Sequence, residues 1–486
     1  MNDDSAPAGV DRRRFLQLMG LAGAGVALGA CGSSGGSGTT TSSGAPPSST
    51  VPKAPAFPIG AAAKATNKPV PVTMWHSMTE ANLTTLQKLA KQFNSSQSDV
   101  KVSLVNQSSY TDTMTAYTAA AGSNSLPDLV QIENIDLQIM IDSQTVMPAE
   151  SAVAADSSFD IASLLPSAVE FFKVEGVLWA MPWNESTEIL YYNQHAFTKA
   201  GLDPANPPAT LADYKSAAET IVSKGVAKYG TSLKLTPSEI EDWTGMQGAL
   251  LVNNGNGRTQ RATAVTFGGA DGLALFSFYE DMYKSKLAQA TPGNGTGAYD
   301  NLLAIAGYQG SVETAAMTSD TSAALGTVLT VIGTYPKVKL GIGPLPAPPG
   351  PGGVPYGGGG LFMVKTSAPE SQDGAWQFIK FLLEPGPMAT WSLGSGYIPI
   401  TTAAVTEPNL VAAWAKTPVY KVAYEQVLNT KPSAATAGPV AGPLSQVETD
   451  IINGLTAISN GASAATALAS TVSASNSAIA SYNSRV

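Results

Sequence analysis

Covalent chemistry has few starting points in this 486-residue chain, which holds two histidines, His76 and His195, and one cysteine, Cys31. Neither histidine stands in a zinc-binding spacing such as HExxH, and no serine sits in a strand-to-helix nucleophile elbow. A GxxxxGK[ST] phosphate loop is absent as well. The acidic pairs Glu185/Glu188 and Glu239/Glu241 have the residue types of a general acid and base. With no nucleophile or third group beside them, they read as solvated surface carboxylates. No enzyme activity, metal or cofactor is expected.

Aromatic residues give a better lead, toward binding. Trp376 and Trp391 lie among apolar neighbours in helical stretches and read as core. Trp75, Trp179, Trp183 and Trp243 lie at strand ends or beside Pro and Asn. Each suits stacking on a sugar or polyol, or a partly buried structural place. The run Gly357–Gly360 ends the Pro/Gly-rich stretch 344–360 and enters a strand, so it does not open a helix as a phosphate cradle would. It reads as close backbone approach to a ligand or a hinge, or as a flexible surface loop.

The elements that must position these residues follow from periodicity. Pro71 to His76 reads as a strand, and Thr79 to Asn94 as a helix with Leu83, Leu86, Ala90 and Phe93 on one face. Val100 to Val105 alternates as a second strand, Tyr110 to Ala121 reads as a helix, and Asp128 to Ile132 as a third strand. Strands separated by crossover helices make an open parallel α/β layer. Ligands bind such sheets at the carboxyl ends of the strands, here Trp75-His76-Ser77 and Glu133-Asn134. A second α/β block begins near 188, with a strand over 189–192 and helices over 211–224 and 273–284. Thr210 is the expected N-cap of the first of these helices. Leu361 to Val364 reads as a strand and Asp373 to Leu383 as a helix. The Ala/Ser-rich tail from Leu455 to Ser481 reads as one helix.

The N-terminus reads as an address. Arg12-Arg13-Arg14, an apolar run of 16 residues from Phe15 to Ala30, and Leu28-Gly29-Ala30-Cys31 resemble a bacterial lipoprotein signal of twin-arginine type. A membrane span needs about 20 residues, so cleavage fits better than a permanent helix. The general secretory route also stays open. Cys31 is the expected lipid attachment point. Residues 32–70 form a Gly/Ser/Pro linker with a reach of about 35 Å. The body, 71–486, carries 21 Lys+Arg against 33 Asp+Glu, a balance of −12. That excludes the basic footprint of nucleic-acid binding and leaves the lipid anchor as the only expected membrane contact.

Several local patterns together resemble the extracellular solute-binding proteins of ABC importers, in the maltose-type carbohydrate-binding group. They are Trp75-His76-Ser77-Met78, Pro182-Trp183-Asn184-Glu185-Ser186-Thr187 with Ile189 to Asn193, Ala200-Gly201-Leu202-Asp203-Pro204, Pro207-Pro208-Ala209-Thr210 and Gly396-Tyr397-Ile398-Pro399-Ile400-Thr401. The first of them resembles the glycerol-3-phosphate-binding branch. The resemblance implies an α/β, two-lobed periplasmic-binding-protein type II fold. Each lobe is a mixed sheet flanked by helices, joined by crossings near 184–188, 316–322 and 356–361. Residues 71–185 plus 320–356 would form the N-terminal lobe, and 186–319 plus 357–486 the C-terminal lobe. Ligand contacts implied are Tyr110, Glu133, Ser186, Thr321 or Ser322, Gly359 with its neighbour Gly358, and Tyr397. Trp183 and Trp243 are candidate stacking rings beside them. The branch holds phosphate with an arginine, and Glu448 stands in that region here. A carboxylate repels a phosphate monoester, so a neutral sugar, or a phosphodiester with a cationic head, fits better. The resemblance implies a lipid-anchored monomer on the outer face of the cytoplasmic membrane. It would capture a sugar or polyol for a permease whose ATPase subunits are separate chains. Alternatives are a ligand-sensing binding lipoprotein and an extracytoplasmic hydrolase.

Overall fold

Two mixed sheets organise the chain. The structure, a computed structural model, describes residues 56–486 apart from 124, 294–297, 308–311 and 332–337. Cys31, the export segment and residues 32–55 of the expected linker lie outside the described residues. The expectation that the linker runs to 70 needs correction, because Phe57 is buried against Trp376 and the short helix Ala61–Lys64 is held by Asp373, which accepts from Ala62 N–H at 2.9 Å. Among the described residues no helix is long and apolar enough to cross a membrane.

The first sheet contains β1 (Val70–His76), β2 (Val100–Asn106), β3 (Leu129–Glu133), β4 (Val146–Met147) and β13 (Gly357–Val364), in the order β2-β1-β3-β13-β4. β7 (Met181–Ser186) also pairs with β13. β1 runs parallel to β2 and β3, as the strand–helix alternation requires, whereas β13 is antiparallel to β3. A short ribbon of β5 (Lys173–Val174) and β6 (Val177–Leu178) precedes β7. The second sheet has the order β10-β9-β11-β8-β12, from β8 (Glu188–Asn193), β9 (Thr231–Leu235), β10 (Ala288–Pro292), β11 (Met317–Thr321) and β12 (Leu340–Pro344).

The longer helices are α1 (Glu80–Ser96), α2 (Tyr110–Ala121), α3 (Leu211–Ser223), α4 (Ser238–Met246), α5 (Ala270–Lys284), α6 (Pro369–Leu383), α7 (Pro385–Ser395), α8 (Pro408–Lys416), α9 (Leu444–Ser459) and α10 (Ala464–Asn483). The expected face of α1 buries Leu86, Ala90 and Phe93. Phe93 packs against Phe378 and Phe381 of α6, with ring centroids 5.1 and 5.4 Å apart. Thr210 caps α3 in a full capping box with Asp213, which satisfies two otherwise orphaned backbone donors. The C-terminal tail is two helices rather than one. Gly461, at φ 98°, breaks it, and the Ser463 side chain caps α10 by accepting from Thr466 N–H. α9 and α10 pack on each other and on α5 of the second lobe.

The chain passes from the first sheet to the second at Thr187, between β7 and β8. After β11 it leaves the second sheet for a helix (Leu325–Val331) that packs on α7. It returns as β12 and then crosses by residues 345–356 to β13. Past α8 it comes back to the second lobe, where Gln426 donates to the Glu188 carbonyl at 2.9 Å. The expected lobe assignment therefore needs correction. β12 pairs with β8, so residues 340–344 belong to the second lobe, and β13 pairs with β3, so residues 357–364 belong to the first. Antiparallel insertion of β13 beside β3 is a long-range pairing that local periodicity cannot reveal.

The lobes also touch away from the crossings. Arg261 of the second lobe grips Asp142 of the first through two bonds of 2.7 and 2.6 Å, and Tyr482 Oη donates to the same carboxylate at 2.8 Å. Arg258 donates to the carbonyls of Glu170, Phe171 and Lys173 in the first lobe, at 2.8 to 3.1 Å, and to those of Ala437 and Gly438.

Candidate functional site

A polar cluster forms where the first sheet ends and the chain crosses between lobes. Tyr110 opens α2, whose N-cap Ser109 accepts from Asp112 N–H. Its hydroxyl lies 2.6 Å from the Asn184 amide on β7. Asn184 is fully buried and also accepts from Gln131 Nε2 of β3 at 2.7 Å. The Tyr397 hydroxyl completes the group beside Tyr110 and Asn184. Glu133 ends β3 directly opposite Gly359 of β13 and is partly exposed. Burial, then the nearby Asp136 and Glu241 charges, push its carboxyl up to about 8.

The ring of Tyr397 is held by a stack. It lies over Trp391 at 5.5 Å and 8°, and Trp391 lies over Trp183 at 4.4 Å and 21°. Trp183 and Trp391 are fully buried. Trp183 is therefore a wall behind the site and not a face for a sugar, a correction to its expected contact role. Trp243 needs the same correction. It is 1% exposed, packs against Phe278 and Tyr279, and donates from Nε1 to the Pro346 carbonyl at 2.9 Å.

Other expected contacts are tied up in the scaffold. Ser322 is fully buried, and its hydroxyl accepts from Thr187 N–H at 3.3 Å, pinning the first crossing to the end of β11. The Thr321 side chain caps the turn that follows, accepting from Ala323 N–H. Ser186 is 7% exposed and donates to the Gly357 carbonyl at 3.3 Å. The glycine run is not a surface loop but the first half of β13. Gly358 has φ 123°, and a Cβ there would stand 2.0 Å from the Asn184 carbonyl. A Cβ on Gly359 would stand 2.7 Å from the Ile132 carbonyl. These glycines let β13 fit between β3 and β7, so the close approach they permit is to protein backbone.

The acidic pairs are a further correction, because one member of each is buried and the other, Glu188 or Glu241, is only partly exposed. Glu185 and Glu239 are fully buried, and both Glu185 carboxylate oxygens and Glu239 Oε2 lack a hydrogen-bond partner. Glu239 Oε1 accepts from Ser319 at 2.7 Å, and burial pushes its carboxyl up to about 7. Glu241 reaches the seam between lobes, and burial pushes it up to about 8. Asp136 and Asn184 are site residues that sequence reasoning did not single out. Asn184 lies within the quoted Pro182–Thr187 segment, but nothing in that segment says which side chain faces Tyr110. Glu448 lies at the seam, its carboxyl raised by burial and then by the Glu241, Glu133 and Asp136 charges. His76 is 1% exposed, and burial lowers its imidazole to about 4, so it is a neutral core group. Among the described residues no group of three or more His, Cys, Asp or Glu is arranged to hold a metal ion.

Two α/β lobes, crossing strands between them, and a polar cluster at their seam define a two-lobed solute-binding protein of the type II periplasmic class. The chain belongs to the bacterial extracellular solute-binding protein family, which it matches over residues 78–389. It is 28% identical over 397 residues to the sn-glycerol-3-phosphate-binding periplasmic protein UgpB of Salmonella typhimurium, covering 80% of this chain and 87% of that one. Among solved structures it resembles the GacH receptor of Streptomyces glaucescens, determined unliganded and with acarbose (TM-score 0.68, 23% identity, 84% and 98% coverage). It also resembles UgpB from Mycobacterium tuberculosis in complex with glycerophosphocholine (TM-score 0.67, 20% identity, 85% and 99% coverage).

Proposed function

We infer that this protein is the solute-capturing component of an ABC importer. It holds a sugar or other polyol between its lobes, does no covalent chemistry, and delivers its cargo to a membrane permease served by separate ATPase subunits. Cys31 carries the lipid that anchors the monomer on the outer face of the cytoplasmic membrane, and the stretch from 32 to the start of the packed body near Phe57 is the tether. The observation that carries the reading is the Tyr110–Asn184–Tyr397 cluster beside Glu133, at the seam of a family member's two lobes. Hydroxyls and carboxylates in such a place are donors and acceptors for a polyol. Ligand contacts to both lobes stabilise the closed state.

The test is calorimetry of the full chain against maltotriose, glycerophosphodiesters and sn-glycerol-3-phosphate. Glu133→Ala and Tyr397→Ala are expected to weaken binding of the solute that binds, without loss of the folded circular-dichroism signal. Unchanged affinity in both variants sinks the assignment. Metabolic labelling with a fatty acid, lost in Cys31→Ala, checks the anchor.

A further inference from the structure

The contacts expected of the second lobe, Trp243, Thr321 and Ser322, are held in its scaffold. That lobe nevertheless carries a polar group at the edge turned to the first lobe, and the chain path defines this edge. β8 begins at Glu188, directly after the crossing at Thr187, and Glu188 pairs with Thr321 at the end of β11. β9 runs parallel to β11, and β10 to β9, so their carboxyl ends lie at the same edge. Open α/β sheets take their ligands at the carboxyl ends of their strands.

A charged pair stands there. Lys234 of β9 and Asp320 of β11 each lie three residues past the register pair Thr231 and Met317. Lys234 Nζ donates to both Asp320 carboxylate oxygens at 3.1 Å. Asp320 also accepts from Asn301 Nδ2 at 2.9 Å and from Thr321 N–H at 2.8 Å. Asn301 belongs to the short helix Asp300–Ile305, and its Oδ1 is shut off from solvent with no partner among the described residues. The Asp320 side chain is 3% exposed and that of Lys234 14%. Lys234 is the only basic residue in the five strands of this sheet.

Stability alone does not account for the pair. Two opposite charges lose on burial about as much hydration energy as their attraction returns, and apolar side chains of similar volume hold a lobe as well. The bonding is also lopsided. Asp320 is saturated by these four hydrogen bonds, whereas the Lys234 ammonium spends its three donors on one carboxylate. Its partial exposure at the sheet edge leaves one N–H for a group in the cleft. Asp320 already neutralises the ammonium, so an anion gains little there and the N–H suits a neutral oxygen. A hydroxyl in that place receives a charge-assisted bond, about twice as strong as a neutral one. The first lobe offers hydroxyls of its own at Tyr110 and Tyr397.

We propose that Lys234 is the second lobe's contact with the solute, giving an N–H to a hydroxyl of a neutral polyol or saccharide, and that Asp320 is a positioning residue that holds the ammonium at the cleft edge. This rests on the solute-binding function proposed above and adds to it a second-lobe contact and a ligand class, uncharged rather than anionic.

Calorimetry on the full chain at pH 7.5 tests it, with maltotriose, mannotriose and raffinose as neutral probes and sn-glycerol-3-phosphate as an anionic one. A neutral probe is expected to bind more tightly than the anionic one. For that probe Lys234→Met is expected to weaken binding about tenfold or more. Asp320→Asn removes the ion pair but keeps the donor, and is expected to stay within about threefold of the parent. A scaffold role for the pair predicts the same loss in both variants, or none in either, and each of these results overturns the inference. Tighter binding of the anionic probe overturns it too. Lys234→Gln keeps an N–H without the charge and serves if Asp320→Asn fails to fold. It is expected to bind the probe more tightly than Lys234→Met does, and equal affinities overturn the inference. Tyr397→Phe is the control for the function itself: a loss there with none in Lys234→Met leaves solute binding standing. Binding by none of the probes overturns both.

Discussion

At the scale of single residues, Tyr397 separates two duties. Its ring caps the Trp391–Trp183 stack, and its hydroxyl joins the Tyr110–Asn184 cluster. Tyr397→Phe keeps the ring and removes the hydroxyl. It is expected to leave the melting temperature within a few degrees and to weaken solute binding by about five- to tenfold, the value of one hydrogen bond. Trp391→Ala instead empties a fully buried volume and is expected to cost about 3–5 kcal/mol in a denaturant melt. The sequence makes Trp391 legible as core, because apolar residues surround it in a helix. Trp183 looks exposed for a local reason, since Pro182 and Asn184 flank it. The partners that bury Trp183 lie some 200 positions away, beyond the reach of local pattern. Glu239 and Glu241 mislead in the same way. Their charge suggests solvent, and only tertiary packing places them inside a lobe and at a seam.

At the scale of elements, β13 is the piece that joins the sheet to the site. It sets Gly359 opposite Glu133 and Gly357 opposite Ser186, with a register shift between Gly359 and Gly360. Only glycine allows this fit at 358, where φ is 123° and the Asn184 carbonyl occupies the space of a Cβ. Gly358→Ala is expected to destabilise the protein by about 2–4 kcal/mol. It should also displace Asn184, so a loss of solute affinity ought to accompany the lowered denaturation midpoint. Gly461→Ala is the control. It too has positive φ, but a Cβ there meets nothing within 4 Å, so about 1 kcal/mol is expected. The parallel strands β1 to β3 and the Thr210 cap are legible because hydrophobic period and capping chemistry are local. The membership of β12 and β13 is not, since either strand could add to either sheet on its own pattern. The break at Gly461 carries a local signal, Asn-Gly followed by a capping serine, but small residues on both sides mask it.

At the scale of the whole molecule, the question is what holds the lobes together. Asp142 accepts from Arg261 and Tyr482 across the seam and is nearly buried, so the clamp is more than a solvated surface pair. Asp142→Ala is expected to shift the solute-free protein toward an open form, with an increased radius of gyration in solution scattering. Solute affinity should drop by about fivefold, equivalent to roughly 1 kcal/mol of closure free energy. Buried carboxyls at the seam and inside the second lobe make stability depend on pH. Glu133 and Glu241 lie at about 8, Glu239 at about 7 and Asp136 at about 6, each raised from the ordinary carboxylate range chiefly by burial. A raised folded-state value means the folded protein binds protons that the unfolded chain releases. The stability these groups contribute is therefore present at the acid end and lost as pH rises through 6 to 8. His76 acts in the opposite sense. Its value is lowered to about 4, so its contribution is lost as pH falls below about 6.5. Four carboxyls outweigh one imidazole, and the melting temperature of the solute-free protein is expected to be higher at pH 5.5 than at pH 8.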